Sequence, residues 1–252
     1  MKIQNLIIIL LLPFMSMAQS RLSQDAKGII YDREGVFDMR IHTHGWAVGY
    51  QIGKIKSYYK TTFYNFELGE LRHYKETRKS TDFSSISPSN GFRSYTFGKQ
   101  NYAFVLRGGI GQKRYYTEKA SKNGVAVGLT YSGGLTAALM KPYYLEIGGA
   151  RDGSPGKAMK YSEENSKLFL DPYRIQGKGN LLKGVGETKI IPGIHGQIGV
   201  QLDWGAFDEF LKAIEVGIML DVFPKKLPIM ITEENRPYFM NLYVSLQLGK
   251  RT

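Results

Sequence analysis

The chain has 252 residues and no cysteine, which excludes a disulfide framework and any thiolate metal site. Lys and Arg total 34 against 22 Asp and Glu, for a formal net charge of +12. That excess admits nucleic acid, anionic lipid headgroups or a plainly solvated surface as partners, and the N-terminus decides against the first.

Met1-Lys2, the aliphatic run Leu6 to Leu12 and the small-residue exit Ser16-Met17-Ala18 read as a secretory signal peptide, residues 1–18, cleaved near Ala18. The run is far shorter than the roughly 20 residues a spanning helix needs, and no later segment reaches about 18 apolar residues. Residues 19–252 are then expected to form a single domain, with the 29 glycines and 17 tyrosines of the chain suiting a curved β-sheet that meets lipid.

After a polar lead, apolar positions alternate through Val36 to Ile52. They are odd-numbered at first (Phe37, Met39, Ile41) and even-numbered later (Trp46, Val48, Tyr50, Ile52). One strand with a β-bulge at His44-Gly45 accounts for the change of phase. A turn at Gly53 to Ser57 and a second strand, Tyr58 to Arg72, follow. Tyr74 to Gln100 is a long polar connection broken by Pro88 and Asn90-Gly91. The third strand starts at Tyr102. A charged loop, Gln112 to Asn123, leads to a fourth strand in which Val125, Val127, Leu129, Tyr131, Leu135 and Leu139 alternate with small residues. Tyr143, Leu145 and Ile147 open a short fifth strand. Gly149 to Glu187 is the longest connection, with one helical turn expected near Leu168-Phe169-Leu170. The sixth strand, Ile190 to Trp204, precedes the clearest hairpin in the chain. There Ile214, Val216, Ile218, Leu220 and Val222 share one face, and Met240, Leu242, Val244, Leu246 and Leu248 repeat the pattern.

Eight long, amphipathic strands behind a signal peptide predict an all-β fold: a closed, antiparallel, up-and-down transmembrane β-barrel in the outer membrane of a Gram-negative envelope. Odd-numbered connections would face outward, which leaves the long Tyr74 to Gln100 connection on the side where turns are normally short. The residues facing inward by parity include Arg40, Glu67, Arg107, Glu146, His195, Asp203, Glu215 and Asp221. A lumen of eight strands is just wide enough for side chains, so these are expected to form a buried charge network that fills it.

Three stretches carry a family resemblance: Ser94 to Tyr102 with Leu106-Arg107, Tyr131 to Leu135 with Leu139 to Pro142, and Asn241 to Gly249. They resemble small outer-membrane barrels of the OmpA-like kind, and more particularly an uncharacterised Bacteroidetes-type group. Lys250-Arg251-Thr252 departs from the pattern, since such chains often end on an aromatic residue. The resemblance implies architecture and carries no catalytic set.

His42, His44, His73 and His195 are the four histidines. Arg40-x-His42-x-His44 would align on one strand face, which suits a metal or a general base, but it carries no acidic or thiol partner. No phosphate loop, Gly-x-Ser-x-Gly or His-Glu-x-x-His occurs. The expected function is therefore non-enzymatic and cofactor-free: a structural or docking role through the loops. Its partners would be outer-membrane lipid, either lipopolysaccharide or anionic headgroups, and other envelope proteins. The alternatives are a lipid-modifying acyltransferase or deacylase at the outer rim, and a narrow pore.

Overall fold

The computed structural model describes residues 31–79, 94–117, 124–148 and 156–252. The signal peptide and its cleavage site lie outside the described residues. The chain forms strands β1 (Arg33–His42), β2 (Gly45–Ser57), β3 (Lys60–Leu71), β4 (Arg78–Lys79), β5 (Tyr95–Thr96), β6 (Asn101–Tyr115) and β7 (Ala126–Pro142). Then come β8 (Tyr144–Ile147), β9 (Lys157–Lys160), helix α1 (Ser166–Phe169), β10 (Ile175–Lys178), β11 (Lys189–Asp203), β12 (Phe210–Val222) and β13 (Tyr238–Arg251).

Eight of these strands close a barrel in the order β1-β13-β12-β11-β7-β6-β3-β2. Every pairing is antiparallel, and β1 against β13, with Ile41 opposite Val244, seals the cylinder. Closure leaves no free sheet edge, so each wall strand donates and accepts on both sides.

The strand count matches the sequence expectation, but two of its members differ. The phase change at His44-Gly45 is a hairpin, not a bulge: His42 pairs with Gly45 across the two-residue turn Thr43-His44. A two-residue turn places its flanking pair on the same face, so it shifts parity by one just as a bulge does. Glycine is required at 45, where φ is +147° and a Cβ would lie 2.1 Å from the Glu70 carbonyl oxygen. The second difference offsets the first. The short strand after Pro142 is β8, and it leaves the barrel to pair with β9 and β10 in a separate three-stranded sheet.

The altered membership reverses the sides of the connections that precede β8, while those after β8, Gly149 to Glu187 and Phe223 to Pro237, keep the side expected for them. Residues 53–57 lie within β2 rather than in a turn, and Gln112 to Tyr115 lie within β6. Connections 58–59, 116–125 and 204–209 share the end that holds both barrel termini. Turn 43–44 and the long connections 72–100, 143–188 and 223–237 share the other end. The described parts of the long segments are therefore together, and residues 74–79 and 94–100 of the Tyr74 to Gln100 connection join them.

At that end the connections build an apolar cap. Leu71, Ala103, Val105, Ala138 and Met140 face inward from the wall. They pack on Leu227, Ile229 and Met230 of the 223–237 connection, whose Leu227 and Ile229 are fully buried. Backbone bonds from Gln100 and Asn101 to the Ile229 carbonyl, at 2.8 and 3.3 Å, tie this connection across the mouth. Beside it, Tyr95, Tyr143, Leu145, Phe169 and Ile175 form the core under the three-stranded sheet and α1.

Candidate functional site: the barrel interior

Period-two alternation sends every second side chain of each wall strand inward. The inner face is polar and the outer face aliphatic, so burial runs opposite to the usual order. Arg40, Glu67, Arg107, Asp203, Glu215 and Asp221 are each at most 6% exposed, whereas Ile41 is 74% and Leu135 73% exposed.

The middle of the lumen is organised by two guanidinium groups. Arg107, on β6, donates through Nε and Nη2 to both oxygens of Asp221 on β12, each at 2.8 Å, and through Nη1 to Glu67 on β3. Arg40, on β1, pairs with Glu67 at 2.8 Å and Asp38 at 2.8 Å, and donates to the Gln197 side-chain oxygen at 2.6 Å. Glu67 thus joins the two cations, and its desolvation is offset by charge-assisted bonds on both oxygens. The Arg40 guanidinium also lies 4.3 Å from the centre of the Tyr243 ring. Tyr243 reaches this position because Gly199 and Gly217 face it; a Cβ at either would come within 2.7 Å of its hydroxyl. That hydroxyl donates to Glu215 at 2.5 Å, and Gln247 donates to the other Glu215 oxygen at 2.8 Å. His195 Nδ1 lies 3.0 Å from the Thr136 hydroxyl in the same layer.

A second cluster closes the end that holds the termini. Lys113 donates to Glu34 at 3.0 Å, and Arg251 lies 3.4 Å from Glu34 and 3.0 Å from Asp203. Tyr115 donates to Asp203 at 2.5 Å, and Arg251 also reaches the Gly205 and Asp208 carbonyls at 2.5 and 2.8 Å. From terminal end to cap, the interior is a charged cluster, a second charged cluster, then apolar packing.

Of the eight residues expected in the lumen, seven face inward. Arg40, Glu67, Arg107 and Asp221 form one connected set, and Asp203 belongs to the terminal cluster. Glu215 is held by neutral donors, and His195 by Thr136. Glu146 is the exception. It lies on β8, opposite Ala158 of β9, in the separate sheet and outside the wall. Sequence reasoning missed Glu34, Asp38, Lys113, Arg251 and Tyr243 as network members. Asp38 was available from the parity of Arg40, two residues on. Arg251 lies inside β13, which runs to the last residue but one, so the basic C-terminus is part of the wall rather than a trailing tail.

Three of the four histidines, His42, His44 and His73, line one cavity at the capped end. His42 and His44 both approach the Asn241 side-chain oxygen, with Nδ1 at 3.2 and 2.6 Å, at the capped end. His73 Nε2 lies 3.2 Å from the Glu234 carbonyl, and His195 sits in mid-wall. Among the described residues no three His, Asp or Glu side chains are placed to hold a metal ion.

No family model matches the chain, and no curated protein does. Several solved structures are similar to it. The N-terminal β-barrel domain of Pseudomonas aeruginosa OprF shares 9% identity over 88% of this chain and 98% of that one, with a TM-score of 0.37. Neisserial surface protein A shares 10% identity over 88% and 96%, with a TM-score of 0.36. Ail, the attachment invasion locus protein of Yersinia pestis, shares 7% identity over 88% and 100%, with a TM-score of 0.38. Likenesses this weak carry nothing about function, and the barrel rests on its own ladders. Nothing among them supports the narrower Bacteroidetes-type grouping.

Proposed function

We propose that the chain is an integral outer-membrane β-barrel with a sealed lumen, acting as a structural or docking element through the connections at its capped end, without catalysis. One observation carries this reading: the inverted burial of the wall. Phe37, Met39, Ile52, Phe66, Leu106, Ile110, Leu135, Ile194, Ile198, Val216, Ile218, Leu242, Val244 and Leu246 are exposed, and together they draw on all eight wall strands. A water-soluble protein rarely exposes a contiguous apolar surface beyond a few hundred Å², and a band around a whole barrel matches the hydrocarbon layer. Aromatic side chains flank the band, with Trp204 and Phe210 towards the termini and Trp46 and Tyr238 towards the cap. Barrels of this kind keep short turns in the periplasm and long loops outside, which puts the cap at the cell surface. Lipid, lipopolysaccharide or other anionic headgroups around the band, and envelope proteins at the cap, are the partners this arrangement fits.

The interior supports sealing. Within each cluster the cations pair with buried carboxylates, and the cap lines the outer mouth with apolar side chains that offer a hydrated ion nothing. The test of the membrane reading is fractionation of the native chain. It is expected in the outer-membrane fraction, resistant to carbonate extraction, and faster on gels unheated than boiled. Recovery as a soluble periplasmic protein with no heat-dependent shift would overturn the reading.

A further inference from the structure

The geometry points to a second lipid contact, built outside the barrel wall: we propose that residues 180–187 form an interfacial foot resting in the outer leaflet of the membrane the barrel spans. Leu181, Leu182 and Val185 enter the acyl region, and Lys141 and Lys183 sit at anionic lipid phosphates. The inference rests on the membrane-spanning reading above.

The chain's path puts the segment there. β10 runs antiparallel to β8, so it returns the chain to Tyr144, immediately after the end of β7. The Gly179 amide donates to the Tyr144 carbonyl at 2.8 Å. Lys141 lies on the outward face of β7, in phase with the exposed Tyr131 and Leu135, and its ammonium donates to the Leu181 carbonyl. The segment is thus fastened to the lipid side of the wall rather than over the mouth. At its far end the chain enters β11, whose Ile190 is 67% exposed and paired with Leu139. The foot is therefore continuous with the band.

Locally the segment is a folded double turn. The Asn180 side chain accepts from the Leu182 amide at 2.9 Å, the Lys183 amide donates to the Asn180 carbonyl at 3.1 Å, and the Glu187 amide donates to the Gly184 carbonyl at 3.1 Å. Gly184 has φ +82°, and a Cβ there would lie 2.7 Å from the Tyr144 ring, so glycine lets the turn lie flat on that ring. Tyr144 and Lys160 hold Glu187 at 3.1 and 2.6 Å. Their hydrogen bonds, that from Lys160 foremost, keep its carboxyl below the usual carboxylate range, and the pairing offsets its charge towards the leaflet.

This built turn then presents Leu181, Leu182 and Val185 at 52%, 79% and 56% exposure. Three exposed aliphatic side chains within one five-residue turn are suited to an apolar cover. Continuity with the band supplies one, at the depth where amphipathic segments lie in an interface. Lys183, 5.5 Å from the Tyr144 ring centre, can extend its ammonium to the phosphates while its stem stays apolar. Lys141 completes the basic edge.

The absence of cysteine makes the test direct. Leu182→Cys and Val185→Cys are labelled separately with an environment-sensitive fluorophore, in the full chain refolded into vesicles of equimolar phosphatidylcholine and phosphatidylglycerol. Val244→Cys reports the band, and Tyr173→Cys, 81% exposed at the other end of β10, reports water. Labels at 182 and 185 are expected to resist a water-soluble quencher several-fold better than the label at 173, and to be quenched by a headgroup-proximal spin-labelled lipid. Lys183→Glu should raise aqueous quenching at 182. If 182 and 185 are quenched as readily as 173 while 244 is protected, the foot is refuted and the barrel stands. Protection at 182 that appears only on adding envelope proteins also refutes it, in favour of a protein partner. Aqueous quenching at 244 removes the spanning reading, and the foot with it.

Discussion

Arg107→Ala is expected to destabilise the folded barrel by about 3–5 kcal/mol, the usual cost of removing one partner from a buried ion pair. Three interactions are lost together: both bonds to Asp221 and the bond to Glu67. Glu67 retains Arg40, so the stranded charge is chiefly Asp221, fully buried and left with the Thr136 hydroxyl 3.5 Å away. Glu215→Gln should cost much less. Glu215 accepts from Tyr243 and Gln247, both neutral, and an amide oxygen can keep one of those bonds. Arg107→Lys should fall between them, since it keeps the charge and loses the bidentate geometry. Arg107→Leu combined with Asp221→Leu should recover part of the loss, because no unpaired charge remains at 221. The temperature at which the unheated gel band converts to the boiled form ranks the variants. A rank order with Glu215→Gln below Arg107→Ala contradicts the assigned network.

Val244→Arg is the second large effect, about 2–4 kcal/mol if the residue lies near the bilayer midplane. Val244 is 53% exposed, stands near the middle of β13, and pairs with Ile41 and Val216, both outward-facing. A guanidinium there must snorkel past neighbouring aliphatic groups to reach water. Leu248→Arg, four residues nearer the termini and opposite Lys212, should cost only about 0–1 kcal/mol, because an interface lies within the side chain's reach. Denaturant titration of both variants refolded into lipid vesicles measures the difference. Two small, equal effects would mean that the band faces water.

Most of the wall was legible because period-two alternation is strong where one face is uniformly aliphatic. The closing hairpin Phe210 to Arg251 is the clearest case. Its outward residues are aliphatic without a break from Ile214 to Val222 and from Met240 to Leu248. Two kinds of information were hidden. Parity cannot separate a two-residue turn from a bulge, since both move the pattern by one. Length could have done so: residues 33–57 form a stretch much longer than the roughly 9–11 residues that one tilted strand needs to cross a bilayer. Composition also misleads at strand ends. Lys113 and Arg251 sit in runs of charge that look like loops, yet each turns inward to a carboxylate brought from elsewhere in the chain: Glu34 for Lys113, Glu34 and Asp203 for Arg251. The Glu146 error is of the same origin. The alternation of Tyr143, Leu145 and Ile147 is genuine, but it belongs to a sheet that covers its own small core, and local sequence does not say which sheet a strand joins. The cap was illegible for a further reason. Leu227 and Ile229 in a proline-rich connection reveal nothing about the mouth they fill until β6 and β7 present Ala103, Val105, Ala138 and Met140 to them.

This barrel is expected to cross a membrane without opening it. Conductance of planar bilayers containing the heat-modifiable, folded wild-type chain tests this most directly. The network at Arg40, Glu67, Arg107 and Asp221, the terminal cluster around Arg251, and the cap at Leu227 and Ile229 together predict a current no greater than that of protein-free lipid. Steady, ion-selective single-channel conductance from the same preparation would contradict the sealed lumen and make the interior a pore.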